Sequence, residues 1–213
     1  VKDFWNTEYD HYPERPRIEA ISPIQNKVGA FLSDSLLRKI LTNPPIPLNL
    51  RRIMDEGKIL IVNLAKGSIG EDTANLLGSL IISRFDLAAL SRSNIPESER
   101  RDYTLYLDEF HNFTTQTLIF MLSELRKYRL SLVLAHQYLT QIELNIRDAI
   151  LGNAGTIIGF RIGGNDAEIL EAEFTPEFKA ADFTNLPNYH IYLKLMIDGK
   201  ISRPFSAVTL PPA

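Results

Sequence analysis

The sequence predicts an α/β fold: a mostly parallel sheet flanked by helices, with a C-terminal antiparallel β-hairpin. Three observations predict it. Tyr103-Thr104-Leu105-Tyr106-Leu107 and Leu130-Ser131-Leu132-Val133-Leu134-Ala135 are short apolar runs, as in strands covered on both faces within parallel sheets. Between them, Leu118, Met121, Leu122 and Leu125 recur at helical spacing. Near the end, Asp198-Gly199 separates two β-rich runs, one of the strongest short signals for a hairpin.

Residues 1–54 read as a helical and irregular connector, broken early by Pro13, Pro16 and Pro23. Within it, Val28, Phe31, Leu32, Leu36, Leu37, Ile40 and Leu41 predict a helix over 24–41, stopped by Pro44, Pro45 and Pro47. Residues 55–213 read as the domain proper. It opens with Lys58-Ile59-Leu60-Ile61-Val62-Asn63-Leu64, expected to be another buried strand. A glycine-containing loop follows, and then a helix to about Ser91 that starts with Glu71 and Asp72. Strand, loop and helix invite a phosphate-loop reading, but G-x-x-x-x-G-K-[ST] occurs nowhere in the chain. Two acids at the helix start would also compete with a phosphate for the free amides. Thr114 or Thr115 is expected to cap the helix after the central strand. Further on, 141–151 predicts a short helix and 155–162 a strand. Residues 166–174 predict a helix with Ala167, Leu170 and Phe174 on one side.

Composition narrows the partners. With 45% hydrophobic and 23% charged residues the chain is ordinary for a globular protein. It has no cysteine, which excludes disulfides and thiolate metal sites. The apolar run over 76–90 is interrupted by Ser83, Arg84 and Asp86, so no membrane contact is expected of this segment. The chain begins without Met and is expected to be a fragment. Its formal net charge of −3 lacks the basic surplus of a free-standing nucleic-acid binder. DNA contact, if any, must be local or shared among subunits.

The chemistry collects at strand ends. In open parallel sheets, ligands gather at the carboxyl ends of the strands. Asp108 and Glu109 follow one strand and His136-Gln137 the next, so adjacent parallel strands would put them on one rim. Paired acids there suit nucleotide hydrolysis, one organising Mg²⁺ and the other polarising water. They also suit a simple loop. A rival from the same rim gathers Asp108, Glu109, His111 and His136 into a divalent-metal hydrolase or nuclease site. A third reading has no chemistry: a docking module for DNA or a protein partner.

Taken together, Leu105-Tyr106-Leu107-Asp108-Glu109-Phe110-His111-Asn112-Phe113, Leu122-Ser123-Glu124-Leu125-Arg126-Lys127-Tyr128, Leu134-Ala135-His136-Gln137-Tyr138, Gly152-Asn153-Ala154-Gly155-Thr156 and Phe160-Arg161-Ile162-Gly163 resemble the C-terminal half of the RecA-like motor domain in the HerA–FtsK superfamily of P-loop ATPases. Within it they are most similar to the TraG/TraD-type coupling proteins of conjugative type IV secretion. The resemblance implies ATP and Mg²⁺ as cofactors, with Asp108 as the Mg²⁺-holding Walker B acid and Glu109 as the catalytic base. It implies Gln137 as the γ-phosphate sensor, Arg126 as an arginine finger given to the neighbouring subunit, and Arg161 as a further cation at that boundary. It also implies a homo-hexamer threading DNA, contact with secretion-system partners, a cytoplasmic location, and a membrane anchor carried by a region N-terminal to this chain. Arg126 lies 17 residues beyond Glu109, mostly along a helix, so at about 1.5 Å per residue it stands roughly 20 Å or more from its own acids. The departure is the Walker A loop, expected before residue 1. Without it these 213 residues are expected neither to bind ATP tightly nor to hydrolyse it.

Overall fold

The computed structural model describes residues 7, 9–13, 15, 18–19, 21–23, 29, 33, 35–42, 48–113 and 116–211. The expected helix positions Val28, Phe31 and Leu32 and the expected caps Thr114 and Thr115 lie outside them. The chain forms two compact units, one of Val1–Asn49 with Ala65–Ala74 and one of Leu50–Leu64 with Asn75–Ala213.

In the first unit, helix α1 (Ser35–Thr42) is amphipathic. Leu37 is buried while Ile40 and Leu41 face solvent. In the second, α2 (Leu50–Glu56) buries Leu50 and Met54. The segment after it departs from expectation: residues 58–64 pair with no strand. Ile59 and Ile61 are 91% and 88% exposed, and only Leu60 turns inward to pack on a core cluster. An apolar run indicates burial, but a strand also needs a neighbouring ladder, and among the described residues none lies beside it.

A short helix, α3 (Lys66–Ile69), precedes α4 (Glu71–Leu90), whose acids at the first turn suit the positive end of the helix dipole. Contrary to the sequence reading, a 24-residue helical stretch, Glu71–Asn94, is long and apolar enough to cross a membrane, with a mean hydropathy of 1.2. Its Ile82, Phe85, Ala88 and Ala89 pack into a core cluster with Met121, Leu125 and Leu130, as in the core helix of a globular domain.

Strand β1 (Tyr103–Leu107) pairs in parallel with β2 (Leu130–Leu134), Tyr103 opposite Leu130 and Leu107 opposite Leu134. The crossover between them is α5 (Gln116–Glu124) and a 3₁₀ turn, Leu125–Tyr128. The expected apolar face of this helix is the buried one: Leu118, Met121 and Leu125 are nearly inaccessible. The strands are covered on one face only, a second departure. Leu105, Leu107, Leu132 and Leu134 point to the core, while Thr104, Tyr106, Ser131 and Val133 alternate outward, Tyr106 73% exposed. Leu107 and Leu132 touch both core clusters, so the inner face of the strand pair joins the two halves of the core.

The second cluster gathers α6 (Leu144–Asn153), α7 (Gly164–Phe174) and α8 (Ala180–Thr184). Ala167, Leu170 and Phe174 line the buried side of α7 as their spacing predicts. Beside them, β3 (Ile157–Gly159), β4 (His190–Lys194) and β7 (Phe205–Val208) form an antiparallel sheet in the order β3-β4-β7. The predicted hairpin is present: β5 (Met196–Ile197) and β6 (Lys200–Ile201) flank Asp198 (φ 49°) and Gly199 (φ 76°). Two successive positive φ angles make the turn whose twist matches antiparallel strands, and a side-chain-free residue takes the second at no steric cost.

Candidate functional site

The site is built where β1 and β2 end together. The parallel ladder continues one step past each strand: the Ala135 amide donates to the Leu107 carbonyl at 2.9 Å and the Phe110 amide to the Ala135 carbonyl at 3.2 Å. Those bonds set Asp108-Glu109 beside His136-Gln137. Gln137 Nε2 donates to Glu109 Oε1 at 2.7 Å, and His111 Nδ1 lies 3.4 Å from Glu109 Oε2. The acid and the amide that the two strand ends predict are therefore in direct contact.

Glu109 has φ 47°, a left-handed conformation that costs a residue with a side chain on the order of 1–3 kcal/mol and persists where surroundings impose it. The surroundings here are explicit. The Glu109 amide donates to Asp108 Oδ1 at 3.0 Å, and the Glu109 carbonyl accepts from the Asn112 amide at 3.1 Å and from Asn112 Nδ2 at 2.9 Å. This turn lifts the carboxylate off the strand axis toward Gln137. Asp108 is exposed, a hard oxygen donor of the kind that holds hydrated Mg²⁺.

One residue of the site escaped the sequence reading. Asp166, in the first turn of α7 and 4% exposed, accepts from the Leu139 amide (3.0 Å) and the Thr140 amide (3.1 Å), one to each carboxylate oxygen. It thereby pins the loop that leaves Gln137. An acid at a helix start is expected for the dipole alone, so its sequence position gave no hint of a partner 26 and 27 residues away. Replacing it with Ala strands two amides, each worth about 1–3 kcal/mol. The expected result for Asp166→Ala is a clear fall in denaturant midpoint together with faster amide exchange at Leu139 and Thr140; unchanged exchange there would deny it the anchoring role.

Burial pushes the His136 imidazole below its ordinary 6.5, outweighing the Tyr138 backbone and the nearby Asp166 and Glu109 carboxylates, which favour the proton. The ring stands edge-on to Phe110 at 5.0 Å. With the folded-state value below the unfolded one, the folded protein takes up this proton later as pH falls. Stability attributable to His136 is whole above about 6.5 and declines as the pH drops through the depressed folded value. A urea titration series from pH 7.5 to 5 should show that decline, and His136→Gln should flatten it; equal slopes in the two proteins would assign the decline elsewhere.

A groove of about 1090 Å³ runs along the outer edge of β2 to β3, and Arg126, Gln137, Arg161 and Asp166 all line it. Asp108 and Glu109 stand outside that lining and join it through Gln137. Arg126 precedes β2 and Gln137 follows it, so five strand residues at about 3.3 Å each separate their backbones by on the order of 17 Å or more. Arg126 and Arg161 are both exposed and carry no ion pair among the described residues. Nor, among the described residues, does any group of three or more His, Asp or Glu side chains converge to hold a metal. Among the side chains of Asp108, Glu109, His111 and His136, the contact described is the one between His111 and Glu109.

Residues 102–172 match a family model described as the TraM recognition site of TraD and TraG. No curated protein matches significantly. Among solved structures, the plasmid coupling protein TrwB in complex with ADP and Mg²⁺ is similar at TM-score 0.72 and 16% identity, over 92% of this chain and 50% of that one. The unbound monoclinic form of the conjugative coupling protein TrwBΔN70 gives 0.68 at 16% identity, over 88% and 49%. The genome-packaging NTPase B204 of Sulfolobus turreted icosahedral virus 2, with AMPPCP, gives 0.50 at 15% identity, over 73% and 70%. At these identities the likeness is one of fold, and the chain spans about half the length of the TrwB chains it matches. The residues matched to the TraG/TraD family model, 102–172, hold Asp108, Glu109, Arg126, Gln137, Arg161 and Asp166.

Proposed function

We propose that this chain is the distal half of a ring-forming, ATP-driven DNA translocase of the conjugative coupling type. The observation that carries the reading is the 2.7 Å bond between Gln137 and Glu109, an acid and a polar sensor meeting at paired strand ends. Asp108 would hold Mg²⁺, Glu109 would orient the attacking water, and Gln137 would read the terminal phosphate. Bound Mg²⁺ would neutralise charge on the phosphates. While Gln137 donates to Glu109, that carboxylate oxygen is occupied; transfer of the amide to a phosphate oxygen would free it to accept a proton from water.

Arg126 acts in trans within a homo-hexamer, supported by its exposure and by its place at the end of β2 opposite Gln137; Arg161 supplies a second positive group at the same boundary. The amide cradle for the phosphates belongs to a part of the protein outside these residues. DNA is the substrate, the location is cytoplasmic, and any membrane attachment comes from another region. The reading is tested by mixing full-length Arg126→Ala and Asp108→Asn proteins, each expected to retain only a small residual turnover alone. Turnover well above either parent is expected, because mixed rings contain interfaces with an intact acid and an intact arginine. Absence of rescue would place Arg126 within its own subunit.

A second reading has its own support in the description of the matched model as a TraM recognition site. On it, the 102–172 segment is a docking face for a DNA-processing partner, with no chemistry of its own. DNA transfer undiminished by Glu109→Gln would favour it.

A further inference from the structure

Arg126 stands on the 3₁₀ turn Leu125–Tyr128, and two other arginines grip the backbone of that turn from outside. Arg92 is 0% exposed. Its Nε bonds Asp55 Oδ1 at 2.9 Å, and its Nη1 donates to the carbonyls of Arg101 (3.0 Å) and Tyr128 (2.9 Å). Arg100 lies alongside. Its Nε donates to the Arg92 and Ile95 carbonyls, both at 3.1 Å, its Nη1 donates to the Lys127 carbonyl, and its guanidinium sits 5.2 Å over the Tyr128 ring.

The carbonyls of Lys127 and Tyr128, the two residues directly after Arg126, are thus both held by guanidinium donors from the 91–101 segment. The Arg126 carbonyl itself accepts from the Arg129 amide at 3.0 Å. Carbonyls at a helix end are ordinarily left to water or to a glycine cap. Here three in succession have fixed donors, while the Arg126 side chain stays exposed and free of ion pairs among the described residues. The ion pair does not by itself account for this arrangement: Asp55 is one-third exposed, and Arg92 Nη2 has no hydrogen-bond partner among the described residues. The weight falls on the carbonyls, which would be stranded without these donors. An apolar side chain could fill the space without that unpaired donor. What it could not do is reach the Tyr128 carbonyl.

We propose that Arg92 and Arg100 are positioning residues that fix the Leu125–Tyr128 turn and so aim Arg126 at the neighbouring subunit. The inference rests on the reading of Arg126 as a trans-acting group. The test uses full-length Arg126→Ala, Arg100→Ala and the double variant. Loss of an arginine finger lowers kcat by roughly 10³–10⁵-fold; Arg100→Ala should lower kcat by about 10-fold with KM nearly unchanged. The double variant should be no slower than Arg126→Ala alone, because residues that act through one another are non-additive. Arg100→Lys, which keeps the charge but loses the planar fork, should fall between wild type and Arg100→Ala. Losses that multiply in the double variant, or a lowered Tm with kcat intact, would overturn the positioning role and leave the functional reading standing. An Arg126→Ala protein with full turnover would remove the functional reading itself, and this inference with it. Arg92→Met is the companion variant; should it fail to fold, the Arg100 cycle decides alone.

Discussion

Glu109→Gln in the full-length protein is expected to cut nucleotide turnover by roughly 10²–10⁴-fold, the usual contribution of a positioned general base, while nucleotide affinity stays the same. The substitution is isosteric, and the substituted amide oxygen can still accept from Gln137 Nε2, so the 2.7 Å contact and the left-handed turn are preserved. What disappears is a carboxylate able to take a proton from water. Phosphate release at saturating nucleotide, set against equilibrium binding of a non-hydrolysable analogue, separates the two quantities. Turnover within a fewfold of wild type would end the assignment of Glu109 as the base. A parallel loss of binding would point to a collapsed turn instead, which amide exchange at Phe110 and Asn112 would register.

Phe174→Ala is expected to produce a large loss of stability. Phe174 is 0% exposed at the end of α7, with its ring edge-on to the equally buried Phe183 at 5.1 Å and 87°. Truncating such a side chain removes transfer free energy and leaves a cavity, about 3–5 kcal/mol together. At roughly 2–4 °C per kcal/mol for a domain of this size, the melting temperature should fall by roughly 6–20 °C. Phe174→Leu, which keeps most of the volume, should lose well under half as much. A small shift for the alanine variant would mean that α7 and α8 close over the gap.

How far the sequence foretold this depends on which physical signal each element used. The β1–β2 pair was legible because two apolar runs of strand length flank a helix-period segment, and the hairpin because Asp198-Gly199 suits two positive φ angles in succession. The meeting of Glu109 with Gln137 followed from strand ends alone, since parallel neighbours in register must finish side by side. Residues 58–64 misled because hydrophobicity reports a tendency to be covered, and the sequence does not state whether a ladder partner is present. The same gap explains Tyr106, which reads as core yet faces outward. Arg92 and Asp166 were illegible for another reason. Each acts through main-chain atoms that are 9 to 36 residues distant, and a backbone amide or carbonyl leaves no mark on the identity of the residue that carries it.

The two bonds that Asp166 accepts have a mechanical corollary. They tie the stretch just beyond Gln137 to the start of α7, and α7 carries Phe174 at its far end. The Gln137 side chain can therefore change partners by rotating about its own bonds, whereas any shift of the Leu139–Thr140 backbone must break those two bonds or carry the first turn of α7 with it.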